Sequence, residues 1–350
     1  MVGKGIEDLP DRPSPSMPKE ARMNLNRREA LALFCAGAAG GLSPALARAE
    51  DWPSKPLKLV IGYSTGGSTD ATARIIGRGL EQRLGQPMVF EYKPGAGASM
   101  GAEFVSKSPA DGYTIGLTDA GPMAIVPHLR KLAYDPAKDF TLLSYVCATG
   151  LAVLVHPSVP ANNIKELIAL AKAEPEKYNY ASSGVGSVHH LAGELFKSQT
   201  GVRIAHVPYR GAGPALTDLV GGQIPVMFAT IGPSLQMIAA GKVKALGVTS
   251  SKRSKALPDV PTVAEQGLKG YEAVLWFSMV APPGLPAPVA TRLQKELQAV
   301  LVDPKVIEEL EKLGNDDIGP RTPKEVAALI KAENEKWRRV IKEANITVDS

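Results

Sequence analysis

Residues 60–74 read Val60-Ile61-Gly62-Tyr63-Ser64-Thr65-Gly66-Gly67-Ser68-Thr69-Asp70-Ala71-Thr72-Ala73-Arg74. An apolar run ends at Tyr63, a small-residue loop follows, and a helical pattern begins near Thr69. Two readings compete for this stretch. Gly62-Tyr63-Ser64-Thr65-Gly66 matches G-x-S-x-G, the nucleophile elbow of α/β hydrolases, which would make Ser64 a nucleophile. Equally, Gly66-Gly67 would let backbone approach a ligand closely, with Ser68, Thr69 or Asp70 capping the helix. The N–H groups of the first helical turn then favour an anion.

The strand–loop–helix pattern recurs. Lys93-Pro94-Gly95-Ala96-Gly97-Ala98-Ser99-Met100-Gly101 follows a second apolar run and contains a second G-x-S-x-G, Gly97 to Gly101. Two matches in adjacent units indicate that the pattern reports Gly/Ser-rich turns, which weighs against a hydrolase. The loop lacks the spacing of a dinucleotide fingerprint and the Gly-Lys-Ser/Thr ending of a P-loop. Thr118-Asp119-Ala120-Gly121 forms a third strand-end turn, and Ala181-Ser182-Ser183-Gly184-Val185-Gly186-Ser187 repeats the scheme further on.

Strand candidates are Leu57–Tyr63, Met88–Tyr92, Tyr113–Leu117, Leu142–Val146, Leu151–Val155, Tyr178–Ala181, Ile204–Val207, Pro225–Phe228, Val243–Val248 and Ala273–Ala281. Helical patterns separate most of them, and two long ones, Pro288–Val302 and Pro323–Ala344, close the chain. Alternation of this kind predicts an α/β fold with mainly parallel sheets flanked by helices. Boundaries near Gly150 and Gly270-Tyr271 would divide it, with residues 50–150 and 271–350 in one lobe and 151–270 in the other. In open α/β sheets ligands bind at the carboxyl ends of strands. No repeat period is visible.

The 350 residues are 44% hydrophobic and 21% charged, ordinary for a soluble globular chain of about two domains. Residues 1–49 read as an extension plus export signal: Arg27-Arg28 precede an Ala/Gly-rich apolar run that ends at Ala47-Arg48-Ala49, a small-x-small cleavage site. The arginine pair points to the twin-arginine route, and Met23 offers an alternative start close to the basic segment. The run falls short of a membrane span of about 20 residues. Cleavage after Ala49 leaves 33 basic and 30 acidic residues, a balance that gives no case for nucleic acid. Cys147 is then the only cysteine, so no internal disulfide forms. The five histidines, His128, His156, His189, His190 and His206, show no zinc spacing, and neither metal nor cofactor is expected. His190 stands three positions after Ser187, either pointing toward the loop or serving as a buried structural histidine.

These stretches occur in a specific order. Tyr63 to Asp70, Lys93 to Gly97, Ser108-Pro109-Ala110-Asp111-Gly112-Tyr113-Thr114 and Tyr134-Asp135-Pro136-Ala137-Lys138-Asp139-Phe140 are followed by Tyr180 to Ser187 and His190-Leu191-Ala192-Gly193-Glu194. His206-Val207-Pro208-Tyr209-Arg210-Gly211 and Pro258-Asp259-Val260-Pro261-Thr262-Val263-Ala264-Glu265 complete the series. Across nearly all of the chain after the signal, this resembles the Bug-type (TctC) receptors of tripartite tricarboxylate transporters. The resemblance implies a two-lobed periplasmic binding fold of the Venus-flytrap, type II-like kind. It also implies a monomer that closes on a small organic carboxylate and serves integral-membrane transporter subunits. Carried over, the ligand residues are Ser64, Thr65, Gly66, Gly67, Thr69 and Asp70 on one side, with Gly97, Ser99 and Asp119 from the next turns. Ser182, Ser183, Gly184, Ser187, His190 and Ala229 stand on the other. Ser99 replaces a frequent Asn, and Ala229 a frequent Asp, which weakens an amino-acid ligand. Backbone N–H groups and hydroxyls would supply the grip, so no lysine or arginine is required in it.

Overall fold

The computed structural model describes residues 52–175 and 177–347. The export signal, the arginine pair and the cleavage site lie outside them.

Among the described residues ten strands alternate with helices: β1 (Leu57–Ile61), α1 (Ser68–Leu84), β2 (Met88–Tyr92), α2 (Ser99–Ser106), β3 (Thr114–Asp119), a π turn over Gly121–Ile125 and a 3-10 turn over Val126–His128. Then come β4 (Thr141–Val155), α3 (Ile164–Ala173), β5 (Tyr180–Ser182), α4 (Val188–Thr200), β6 (His206–Pro208), α5 (Ala212–Val220), β7 (Val226–Thr230), α6 (Ile231–Ala239), β8 (Lys244–Val248) and β9 (Val274–Ala281). The chain ends in α7 (Ala287–Leu301), α8 (Pro304–Lys312), β10 (Asp317–Ile318) and α9 (Pro323–Glu343). Periodicity explains the helices. In α1, Ile76, Leu80 and Leu84 recur every four residues and are buried, and Gly85 closes the helix in the left-handed region at φ 69°. In α9, Val326, Ile330, Trp337 and Ile341 form the buried stripe behind a Thr322/Glu325 capping box.

The strands run in the order β2-β1-β3-β9-β4-β7-β5-β6, with β8 and β10 also paired to β4. The sheet is mixed. β1 pairs in parallel with β2 and β3, and β5 in parallel with β6 and β7. Every pairing of β9 and of β4 is antiparallel. Apolar runs buried on both faces carry no sign of direction, so these two central strands read from sequence as members of parallel sheets.

The break expected near Gly150 is a change of partner within one strand. Thr141–Gly150 pairs with β9, and Leu151–Val155 pairs with β7 and β8. Gly150 is needed there because a Cβ would fall 2.6 Å from Ser250 Oγ. The carboxyl ends of the parallel strands on either side of β4 and β9 carry the glycine-rich loops. These loops meet: Ser64 N–H donates to the Arg210 carbonyl at 3.2 Å. Among the described residues no helix is long and apolar enough to cross a membrane.

Candidate functional site

At the end of β1, Gly67 is the N-cap of α1 and no side chain caps the helix. Ser68, Thr69 and Asp70, the expected caps, lie inside its first turn and are buried. Asp70 is used otherwise. Its Oδ2 accepts from Gly66 N–H at 3.0 Å, and its Oδ1 accepts from Arg74 Nε at 2.8 Å and the Tyr92 hydroxyl at 2.7 Å. It therefore braces the loop and leaves the first N–H groups of α1 without a capping side chain. Ser64 Oγ is buried and has no hydrogen-bond partner.

The loop after β2 is held in an uncommon backbone. Gly95, Ala96, Gly97 and Ala98 all have positive φ, at 137°, 56°, 62° and 67°. For the two alanines this costs about 1–2 kcal/mol each, and strain of this kind persists where surrounding structure enforces it. Arg130 does so: its Nη2 donates to the Ala96 carbonyl and, at 3.0 Å, to Ser99 Oγ. Ser99 Oγ in turn donates to the Ala96 carbonyl at 2.8 Å.

At the end of β3, Asp119 is 1% exposed. Its Oδ1 accepts from Gly121 N–H at 2.7 Å and the Tyr63 hydroxyl at 3.3 Å, while Oδ2 has no partner. Burial pushes its carboxyl up to about 7, against the opposing pull of those two donors.

The loop after β5 satisfies itself. Ser187 caps α4 by accepting from His190 N–H at 3.2 Å and donates to the Gly184 carbonyl at 2.7 Å. Ser182 Oγ accepts from Gly184 N–H at 3.0 Å and pairs with His206 Nε2 at 2.6 Å. Ser183 Oγ pairs with His189 Nδ1 at 2.8 Å. His190 Nδ1 accepts from Gly186 N–H at 3.3 Å, and its ring stacks on His206 with centroids 4.1 Å apart. Burial drives His189 and His190 down to about 4 and His206 to about 3, where neighbouring His190 and Lys197 add to the effect. His190 thus bonds to the loop through Gly186 N–H and also lines a second cleft with Glu194, Lys197 and His206.

The loops approach across the molecule so closely that a Cβ on Gly97 would sit 2.5 Å from the Val185 carbonyl. Beside this contact lies a cleft of about 730 Å³, lined by Pro94–Ala96, Met100, Leu129, Arg130, Ser183–Val185 and Pro208–Arg210. That volume suits a small organic ligand. Ser183 and Gly184 line it, and Gly97 and Ser99 support its floor. Thr65 and Gly66 instead line an adjoining groove with α5, and Gly67 packs against Ala212. Ser182 and Ser187 are fully buried, and Ala229 belongs to the apolar cluster around β7. Arg130 and Arg210, which are not among the residues expected at the site, also line the cleft. Arg210 follows a strand end and was legible as a turn residue. Arg130 reaches the cleft only through its contact with residues 31 and 34 positions earlier, which no local pattern carries.

The hydrolase arrangement does not form at Ser64. All five histidines bond elsewhere, His128 to Asn334, His156 to Ser158, and the other three as above. Among the described residues no group of three or more His, Cys, Asp or Glu could hold a metal ion.

A family model described as "Tripartite tricarboxylate transporter family receptor" matches residues 72–346. Protein BugT of Bordetella pertussis is 32% identical over 323 residues, 92% of this chain and 98% of that one. The structure of Rpa4515 of R. palustris with adipate is 35% identical, with a TM-score of 0.82, over 85% of this chain and 99% of that one. MatC of Rhodopseudomonas palustris, solved with bound malate, is 32% identical with a TM-score of 0.79, over 83% of this chain and 100% of that one. The chain belongs to the Bug-type receptors of the tripartite tricarboxylate transporter family, and its α/β architecture is theirs.

Proposed function

We propose that this chain captures a small organic carboxylate in the cleft between the Lys93–Ser99 and Ser183–Ser187 loops and delivers it to integral-membrane transporter subunits. The observation that carries this reading is the strained run Gly95–Ala98, set against the β5–α4 loop beside a cleft that no acidic side chain lines. Backbone held this way presents N–H groups and carbonyls to a ligand without rearrangement on binding. The uncapped start of α1 adds a favourable field for an anion where Ser64 and Arg210 meet.

The site residues divide by role. Ser64, Gly97, Ser183, Gly184 and the first turn of α1 at Thr69 face or frame the ligand, with Thr65, Gly66 and Gly67 at the edge. Asp70, Ser99, Ser182, Ser187, His190 and Asp119 hold the loops in place. Residues 50–150 with 271–350 act as one lobe and 151–270 as the other, closing about β4 and β9. Ser64 performs no nucleophilic chemistry, because no histidine is within reach of its Oγ to act as base. The relatives bound to adipate and malate support a carboxylate ligand, and related proteins described as a periplasmic transporter and as periplasmic binding protein BugD support an exported receptor; it acts as a monomer, with its signal cleaved after Ala49.

Thermal-shift screening of the mature protein against organic acids tests the reading. A cognate acid at a hundredfold excess over its Kd adds about 2.7 kcal/mol of stability. No shift with any carboxylate would overturn it.

A further inference from the structure

We infer that His189 acts on the ligand through Ser183: it donates to the Ser183 hydroxyl oxygen and so turns that hydroxyl's own proton toward the cleft, where it meets the carboxylate. The inference rests on the carboxylate reading above and gives a positioning role to a residue outside the expected site.

The geometry starts from the loop after β5. Of its three serines, Ser182 accepts from Gly184 N–H and Ser187 donates to the Gly184 carbonyl. Ser183 alone of the three lines the cleft. His189 is the second residue of α4 and is 4% exposed. Its side chain reaches back to the loop that precedes the helix, placing Nδ1 2.8 Å from Ser183 Oγ. Its Nε2 is buried and has no hydrogen-bond partner. Burial pushes the ring down to about 4, so it is neutral near pH 7. One ring nitrogen of a neutral imidazole then carries a proton and the other a lone pair.

Which nitrogen carries the proton decides what Ser183 offers. With the proton on Nε2, Nδ1 accepts from Ser183. The hydroxyl proton is then spent inside the wall, and the cleft meets only oxygen lone pairs, which repel a carboxylate. With the proton on Nδ1, His189 donates to Ser183 Oγ, and the hydroxyl proton is free for the ligand. A serine hydroxyl can accept from one partner while donating to another. Either arrangement leaves Nε2 unmatched, so the anion in the cleft decides between them, and only the second gives it a donor. The chain from His189 Nδ1–H through Ser183 Oγ–H to the carboxylate is aligned before the ligand arrives, and each bond polarises the next.

The adjacent histidine supplies a contrast. His190 Nδ1 accepts from Gly186 N–H at 3.3 Å, which places its proton on Nε2. Two consecutive residues of one helix therefore carry their protons on opposite nitrogens. His190 accepts from the loop, and His189 donates to the one loop hydroxyl that lines the cleft.

The test combines nuclear magnetic resonance with calorimetry. Long-range proton–nitrogen correlation on protein labelled with nitrogen-15 histidine, saturated with adipate or malate, reads each tautomer directly. His189 is assigned by the loss of its signals in His189→Phe or His189→Asn. Its proton should sit on Nδ1, and that of His190 on Nε2. In titrations with the same acid, His189→Phe and Ser183→Ala should each lose roughly tenfold or more in affinity. The double variant should bind no more weakly than Ser183→Ala alone, because the same donor is lost either way. His189→Asn, whose amide N–H can replace the Nδ1–H, should recover most of the affinity. A ligand-bound wild type with the His189 proton on Nε2, full affinity in His189→Phe, or losses that add in the double variant would overturn the inference while leaving carboxylate capture intact. A wild type that binds no acid would instead sink carboxylate capture, and the inference with it. Circular dichroism checks the fold of His189→Phe. The wild-type tautomer, assigned through His189→Asn, keeps the test decisive if that variant does not fold.

Discussion

At the start of α1 no side chain caps the helix, Ser64 Oγ has no partner, and the one nearby carboxylate is tied to Gly66, Arg74 and Tyr92. At the start of α4 the opposite holds: Ser187 caps the helix, and Ser182, Ser183, His189, His190 and His206 bond within the loop and its neighbours. Both regions are strand–glycine loop–helix units of similar composition. One leaves its hydrogen-bonding capacity open, and the other spends it on its own shape. A receptor needs both properties, a rigid wall and a set of donors that solvent or ligand can use. Similar loop chemistry therefore does not mean similar bonding, because a hydroxyl left without a partner and a hydroxyl that braces its loop look alike in sequence.

Breaking the contact between the walls should have the largest effect. Gly97→Val would drive a Cβ toward the Val185 carbonyl and force a branched residue to a φ of 62°. Ligand binding should be lost while circular dichroism retains the α/β signature; calorimetry showing wild-type affinity would mean that the loops need not meet. Next in size is Ser182→Ala. It removes the acceptor for Gly184 N–H and the partner of His206 inside a fully buried site. Denaturant unfolding should show a loss of about 1–3 kcal/mol.

Ser64→Ala sharpens the comparison from the other side. With no bond to lose, stability should stay within about 0.5 kcal/mol of wild type, whereas affinity for the ligand should fall severalfold. A large destabilisation would place Ser64 among the bracing residues instead.

The smallest expected effect is in pH dependence. Asp119 is raised from 3.8 to about 7, so the folded state holds its proton more tightly than the unfolded chain. Its contribution is full below pH 3.8 and is lost as pH rises toward 7. The three histidines are lowered from 6.5 to about 4, 4 and 3, so their contribution is present above pH 6.5 and is lost as pH falls. The two terms oppose each other between these values. Asp119→Asn should therefore make the melting temperature rise more steeply from pH 4 to 6.5 than in wild type. Parallel curves would indicate that Asp119 is ionised in the fold.

Much of the fold was legible in the sequence. The start of α1 and the bounds of α7 and α9 lie within about two residues of those expected from periodicity and caps, the usual uncertainty of helix ends. The direction of β4 and β9 was not, since apolar runs buried on both faces look the same either way. Nor was the continuity of β4 through Gly150, where the two strands expected on either side are one strand that changes partners from β9 to β7 and β8. Of the site, the loops were legible because Gly and small hydroxyl residues at strand ends have a physical signature. The division of labour among their hydroxyls was not, because it depends on partners such as His206, 24 positions from Ser182. Arg130 was missed for the same reason, since its contact with Ser99 spans 31 positions.

The central claim is that this cleft binds an anion and not merely a molecule of suitable shape. Calorimetric titration of the mature protein with its best dicarboxylate and with the corresponding diamide tests it most directly. The two share a carbon skeleton and differ in charge. The dicarboxylate should bind at least a hundredfold more tightly, with an affinity that weakens as salt is raised. Equal affinity for the diamide, independent of salt, would contradict the account.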